Sequence, residues 1–213
     1  PVIILKENVE RTRGHEAQRS NIMAARAISA AVRSTLGPRG MDKMLVSSTG
    51  DVVVTNDGAT ILHELSVQHP GAKMVVEVAE TQDDEVGDGT TTACILVGVL
   101  MEEAERMLYQ GIHPTIIAQG YRMGMDRAME VLQDLAIAVE PDDRETLLKL
   151  ASTAMTGKAI EAVKEKLNSI VVDAVKTVAE DVDGKITVDE ENVMIKKHTG
   201  ETMDDAELVR GII

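Results

Sequence analysis

Asp83-Asp84-Glu85-Val86-Gly87-Asp88-Gly89-Thr90-Thr91-Thr92-Ala93 sets one carboxylate between two glycines and follows it with three hydroxyl residues. The next run, Cys94-Ile95-Leu96-Val97-Gly98-Val99-Leu100-Met101, is apolar, and Glu102-Glu103-Ala104-Glu105-Arg106 closes it. The pattern reads as a loop feeding the first turn of a helix. A helix start leaves backbone N–H groups unpaired and carries partial positive charge, so it attracts phosphate. Glycine lets backbone approach a ligand, and threonine adds hydroxyl donors. Asp88 beside such phosphates suits Mg²⁺, which takes one or two carboxylates together with phosphate oxygens and water. The competing reading is a plain capping sequence, with Thr or Asp as the N-cap. No Gly-x-x-x-x-Gly-Lys-Ser/Thr occurs, and Gly87-Asp88-Gly89 lacks the third glycine of a dinucleotide turn. The preceding segment, Ala72 to Gln82, reads as helix rather than strand. A nucleotide bound here would therefore be held by a mainly α fold, not by a P-loop or Rossmann sheet.

Composition bounds the rest. The chain of 213 residues is 44% hydrophobic, yet it has no Phe or Trp and two Tyr. Twelve Met, with Ala, Val, Ile and Leu, must fill the core, which favours adaptable helix–helix packing. A net charge of −14 argues against nucleic acid as a partner, because phosphate contacts need clustered Lys and Arg. The single cysteine, Cys94, excludes an internal disulfide framework and suits a reducing cytoplasm; on an apolar helix it reads as a core residue. No apolar run approaches membrane-spanning length and no signal peptide is visible, so no membrane role is expected. The chain starts at Pro1 and stops within Leu208-Val209-Arg210-Gly211-Ile212-Ile213, as a piece of a longer protein would.

Val2-Ile3-Ile4-Leu5 is a short β-like run expected to pair with something distant or with a neighbouring subunit. From Glu16 to Leu36, Ile22, Ile28, Val32 and Leu36 recur at near-helical spacing among alanines, which predicts a long helix for close packing. Leu36-Gly37-Pro38-Arg39-Gly40 stops it, and by itself reads as a C-cap and turn. Met44-Leu45-Val46 and Val52-Val53-Val54 predict a hairpin. In Thr55-Asn56-Asp57-Gly58-Ala59-Thr60, Asn-Asp-Gly is a turn signal, so Asp57 is either structural or a second carboxylate that orients water against a terminal phosphate. Gly111-Ile112-His113-Pro114-Thr115 separates two helices, with Pro114 in a first-turn position. Glu140-Pro141-Asp142-Asp143 is the best domain boundary. A helix from Glu145 to Met155, then Thr156-Gly157-Lys158, then an amphipathic helix from Ala159 to about Asp181 are expected beyond it. After Asp183-Gly184, Ile186-Thr187-Val188 and Val193-Met194-Ile195 read as the two strands of a hairpin. His15, His63, His69, His113 and His198 show no metal-ligand spacing.

Leu36-Gly37-Pro38-Arg39-Gly40-Met41-Asp42-Lys43-Met44-Leu45, Asn56-Asp57-Gly58-Ala59-Thr60-Ile61-Leu62 and Gly87-Asp88-Gly89-Thr90-Thr91-Thr92-Ala93 stand in an order and spacing that resembles the chaperonins. Asp83-Asp84-Glu85-Val86 and Gly111-Ile112-His113-Pro114-Thr115 look like the group II branch, the archaeal thermosome and its eukaryotic cytosolic relative. The similarity extends over essentially the whole chain. It implies the N-terminal half of an equatorial, ATP-binding helical bundle with small β-hairpins at 1–141. Residues 142–213 would be the ascending α+β half of an intermediate domain, ending near the start of an apical domain.

The resemblance further implies that the chain binds ATP or ADP with Mg²⁺, Asp88 meeting the metal and Gly87, Gly89, Thr90, Thr91 and Thr92 the phosphates. Leu36, Gly37 and Pro38 would contact the nucleotide, Asp57 would help position the attacking water, and Gly58 would shape its turn. Thr156-Gly157-Lys158 would join from the intermediate segment, Lys158 reaching the γ-phosphate; without the resemblance, Lys158 reads as a solvated helix-start lysine. Glu80 departs from the lysine that relatives commonly carry. The family's second catalytic carboxylate comes from a returning segment that this chain lacks. The expected function is an ATP-driven folding chaperone acting on unfolded proteins, with identical or paralogous subunits in stacked rings. Two other classes remain from the residues alone: a helical scaffold without nucleotide, and a Mg²⁺-dependent phosphohydrolase or kinase for a small substrate.

Overall fold

The computed structural model describes residues 11–47, 50–157, 160, 163–196, 198–200 and 202–211. Two compact units divide it, Pro1–Leu132 and Gln133–Ile213. The expected strand at Val2–Leu5 and the expected phosphate contact Lys158 lie outside the described residues. Among those described, no helix is long and apolar enough to cross a membrane.

The first unit contains α1 (Gly14–Arg33), the hairpin β1 (Lys43–Val46) and β2 (Val52–Thr55), α2 (Gly58–Glu64), α3 (Pro70–Val86), α4 (Thr90–Tyr109) and most of α5 (Pro114–Leu135). Its core joins Ala25, Ile28 and Val32 of α1 to Ile61 and Leu62 of α2, Ala72, Val75 and Ala79 of α3, and Cys94 of α4. Four of these nine, Ala25, Ala72, Ala79 and Cys94, are small, which lets the helix axes approach closely. At the tightest point a Cβ added to Gly98 would collide with Oγ and Cβ of Ser29. Arg26, one turn before Ser29, pairs with Glu105 (2.7 Å) and Glu102 (3.5 Å), each beyond Gly98. Residues descending α1 thus meet residues ascending α4, and the two helices are antiparallel. The short Gly87-Asp88-Gly89 link makes α3 antiparallel to α4 as well. The start of α3 lies beside α1, where His69 Nε2 is 2.9 Å from Ser20 Oγ.

These directions gather four chain ends at one end of the bundle: the exit of α1, the entry of α2, the exit of α3 and the entry of α4. Helix α1 stops at Arg33, short of the predicted Leu36. The cause is Thr35, whose N–H (3.0 Å) and Oγ1–H (2.8 Å) both bond the Val32 carbonyl and divert the chain from helix. Helix α5 begins with Pro114 at its first position, as predicted, and Ile117 is its buried residue.

The second unit pairs α6 (Arg144–Met155) with α7 (Lys164–Val178), followed by the hairpin β3 (Ala179–Val182) and β4 (Lys185–Val188). Arg144 bridges α6 and α7 through the Asp173 carboxylate and Ser169 Oγ. The hairpin corrects two expectations. The helix ends at Val178 rather than near Asp181, and the partner of the 186–188 strand precedes it instead of lying at 193–195. Asp183 (φ +56°) and Gly184 (φ +80°) form a two-residue turn with both φ positive, which folds a strand back onto the segment just before it. The Asp181 carboxylate supports the turn by accepting from Gly184 N–H at 2.8 Å.

Candidate functional site

The α3–α4 junction is built by two left-handed glycines. Gly87 (φ +69°) caps α3, its N–H on the Asp83 carbonyl at 2.8 Å, and Gly89 (φ +79°) stands at the N-cap of α4. Being glycine, that N-cap offers no side-chain oxygen of its own to the helix. The amide of Ala93 makes the first bond of the helix, to the Gly89 carbonyl at 3.0 Å, and the amides of Thr90, Thr91 and Thr92 precede it. The N-cap position is thus held by Gly89, not by the Thr or Asp of the capping alternative. By contrast, α2 is capped by Asp57 and α6 by Asp143.

Asp57 links α2 to this junction. Its Oδ2 accepts from Thr60 N–H (2.8 Å) and Thr60 Oγ1–H (2.8 Å), while Oδ1 accepts from Thr90 Oγ1–H (3.3 Å). The structural reading of Asp57 is what is observed, a cap of α2, and its second oxygen faces the head of α4. Gly58 is buried against the same helix, where an added Cβ would lie 2.6 Å from Thr91 Oγ1 and 2.8 Å from Thr91 N. Only glycine lets α2 approach so closely. Thr90 is 3% exposed, Thr91 half-buried and Thr92 exposed, so the hydroxyls step outward from the core.

Asp88 is exposed, and its Oδ1 accepts from Gly89 N–H at 2.9 Å. Gln82 Nε2 donates to the Asp88 carbonyl at 2.9 Å and tethers the loop to the last turns of α3. Leu36, Gly37 and Pro38 are exposed and follow the α1 exit, at the same bundle end. Thr156 and Gly157 belong to the second unit. Thr156 ends α6 with its Oγ1–H on the Ser152 carbonyl (2.8 Å), and Gly157 has φ +77°. Among the described residues no group of three His, Cys, Asp or Glu is arranged to hold a metal. A phosphate-bound Mg²⁺ asks for less, one or two carboxylates. Asp88 meets that need, since a carboxylate accepts from more than one partner. A helix start with glycine at its N-cap and the Thr91 and Thr92 hydroxyls in its first turn suits phosphate, so the residues present fit the pair.

Cys94, one turn into α4, is buried, and burial pushes its thiol up to about 11, so it is a core residue as expected. His69 and His113 are taken up by hydrogen bonds: His69 caps α3 at Gly71 N–H and meets Ser20 Oγ of α1, and His113 bonds Thr115. Thr60 and Gln82 are site neighbours that the sequence did not single out. The Asp-x-x-Thr spacing at 57 and 60 was the available signal, and it recurs at Asp143 and Thr146.

A model of the TCP-1/cpn60 chaperonin family matches residues 28–213. The chain belongs to that family. Among its relatives, thermosome subunit alpha of Archaeoglobus fulgidus is 58% identical over 213 residues and thermosome subunit beta of the same organism 56%. A thermosome subunit of Methanopyrus kandleri is 56% identical over 212 residues. Each alignment covers all of this chain and 39% of the relative. The chain thus spans well under half the length of the chaperonin subunits it matches. The mainly α fold with short hairpins agrees with the resemblance drawn from its motifs.

Proposed function

We propose that this chaperonin chain carries the nucleotide cradle of an ATP-driven protein-folding subunit, with Mg-ATP held at the head of α4. The observation that carries the reading is the meeting of α2 with that head: Asp57 takes the Thr90 hydroxyl, and Gly58 lies against Thr91, beside a helix start whose N-cap is Gly89. Amides of Thr90, Thr91 and Thr92 and the hydroxyls of Thr91 and Thr92 would hold phosphate oxygens, with Gly87 and Gly89 keeping the approach open. Leu36-Gly37-Pro38 would contact the nucleotide from the α1 exit. Asp88 would bind Mg²⁺, which when bound offsets phosphate charge and acts as a Lewis acid. Asp57 would orient the water that attacks the terminal phosphate, so the protein works by positioning and electrostatics. Thr156, Gly157 and Lys158 would answer to the γ-phosphate, giving hydrolysis a route to domain movement.

The wider reading assigns residues 1–141 to an equatorial domain and 142–213 to an ascending intermediate segment. Identical or paralogous subunits would form stacked rings in the cytoplasm around unfolded protein. Paired alpha and beta names among the relatives support paralogous subunits.

Calorimetric titration of ATP into the assembled full-length protein, with and without Mg²⁺, tests the proposal. Asp88→Ala is expected to weaken the Mg²⁺-dependent affinity by about tenfold or more, the scale of losing a charge-assisted ligand. A scaffold would bind no nucleotide. A small-substrate phosphohydrolase would turn over a small phosphate ester and leave the refolding of denatured protein unchanged. Either outcome overturns the reading.

A further inference from the structure

An N-cap requires one acceptor for one backbone amide. Asp57 receives more: Thr60 supplies both its N–H and its hydroxyl to a single oxygen, Oδ2, each at 2.8 Å. Two donors converging on one oxygen fix the plane of the carboxylate. The other oxygen, Oδ1, is thereby turned toward Thr90 Oγ1 at the head of α4 (3.3 Å). Thr60 is exposed, so its hydroxyl is not bonded merely because burial demands a partner. We propose that Thr60 is a positioning residue for hydrolysis, holding the Asp57 carboxylate in the rotation that presents Oδ1 to the attacking water. The proposal rests on the reading of Asp57 given above.

The molecule contains its own control. Asp143 also receives two bonds from Thr146, but on separate oxygens, N–H to Oδ1 at 3.1 Å and Oγ1–H to Oδ2 at 2.6 Å. That carboxylate caps α6 and, among the described residues, takes no bond from another helix. If the local pattern were only a cap, Thr60 and Thr146 would behave alike. They differ in that Thr60 occupies one oxygen of Asp57 and leaves Oδ1 to the head of α4, whereas Thr146 occupies both oxygens of Asp143.

The test uses the assembled full-length protein with Thr60→Val, Thr60→Ser, Asp57→Asn, the Thr60→Val/Asp57→Asn pair, and Thr146→Val. Three quantities are read: the dissociation constant of a non-hydrolysable ATP analogue with Mg²⁺, that of ADP with aluminium fluoride, and kcat. For Thr60→Val, analogue binding should stay within about twofold, while kcat and aluminium fluoride affinity fall together by about tenfold, as when an interaction made mainly in the transition state is lost. Thr60→Ser should restore both, Thr60→Val should add nothing to Asp57→Asn, and Thr146→Val should leave kcat unchanged. Normal kcat in Thr60→Val beside a slow Asp57→Asn overturns the role of Thr60 and leaves that of Asp57 standing. Wild-type hydrolysis by Asp57→Asn removes both. Failure of serine to restore, or additive loss in the pair, shows that Thr60 acts by another route and likewise sinks the proposal.

Discussion

Gly58 shows most directly how one residue sets the geometry of the site. An added Cβ would meet the backbone of Thr91, at 2.8 Å from N and 2.9 Å from Cα, and backbone yields less readily than the end of a side chain. Gly58→Ala is therefore expected to push α2 off the head of α4. The cost should be about 1–3 kcal/mol, as for other overpacked sites, read as a lower denaturation midpoint. It should also weaken nucleotide binding, because the Asp57–Thr90 contact depends on the same approach. A variant with unchanged midpoint and affinity would show that the contact is slack. At this scale the motif was legible: Asp57, Gly58 and Gly87–Thr92 were each named from sequence. Their mutual contacts were not, because 33 positions separate Asp57 from Thr90 and no local rule spans that gap.

Among the elements, α6 gives a clean case of a helix held by its first residue. Hydrogen bonds from the Thr146 hydroxyl and then the Thr146 amide hold the Asp143 carboxyl below its ordinary value of 3.8. A depressed folded-state value means that the stabilisation is present above the ordinary carboxylate range and is lost as pH falls through the depressed one. Wild-type α6 should fray only in strong acid, below that range, whereas Asp143→Ala should be frayed already at neutral pH. Circular dichroism of the two proteins against pH checks this, and superimposed curves would refute it. The strand β3 marks where element-level reading misleads. Ala179–Val182 continues a helical pattern, but the positive φ angles of Asp183 and Gly184 reward pairing with the preceding segment. Tertiary and turn geometry override propensity there.

On the scale of the molecule, the bundle depends on the α1–α4 crossing at Ser29 and Gly98. Gly98→Ala should destabilise by about 1–3 kcal/mol, and adding Ser29→Gly should recover a substantial part, since the added methyl meets the serine Cβ as well as its hydroxyl. Failure of the second change to help would place the strain elsewhere. Cys94 reports on the whole first unit. Its buried thiol should resist alkylation near pH 8 until the bundle opens, so labelling should follow unfolding rather than precede it. Between pH 9 and about 11 the unfolded thiol ionises while the folded one keeps its proton, so stability should decline as pH rises through that window. The outer faces of α5 carry Met123, Met125, Met129, Leu132 and Leu135 in exposed positions. Residues 1–213 expressed alone should accordingly self-associate, which sedimentation can measure; a cooperatively unfolding monomer would contradict that.

The sequence by itself determined the helical class, the long helices and hairpin of the first unit, the glycine–threonine loop and the family, because these follow from periodicity, local turn chemistry and motifs read along the chain. What only the tertiary structure decided is which chain ends meet. The antiparallel packing of α1 on α4, permitted by the missing side chain at Gly98, brings the α2 cap to the head of α4 and turns two distant motifs into one site. Such contacts depend on the approach distance of backbones, and residue spacing along a chain carries no measure of that distance.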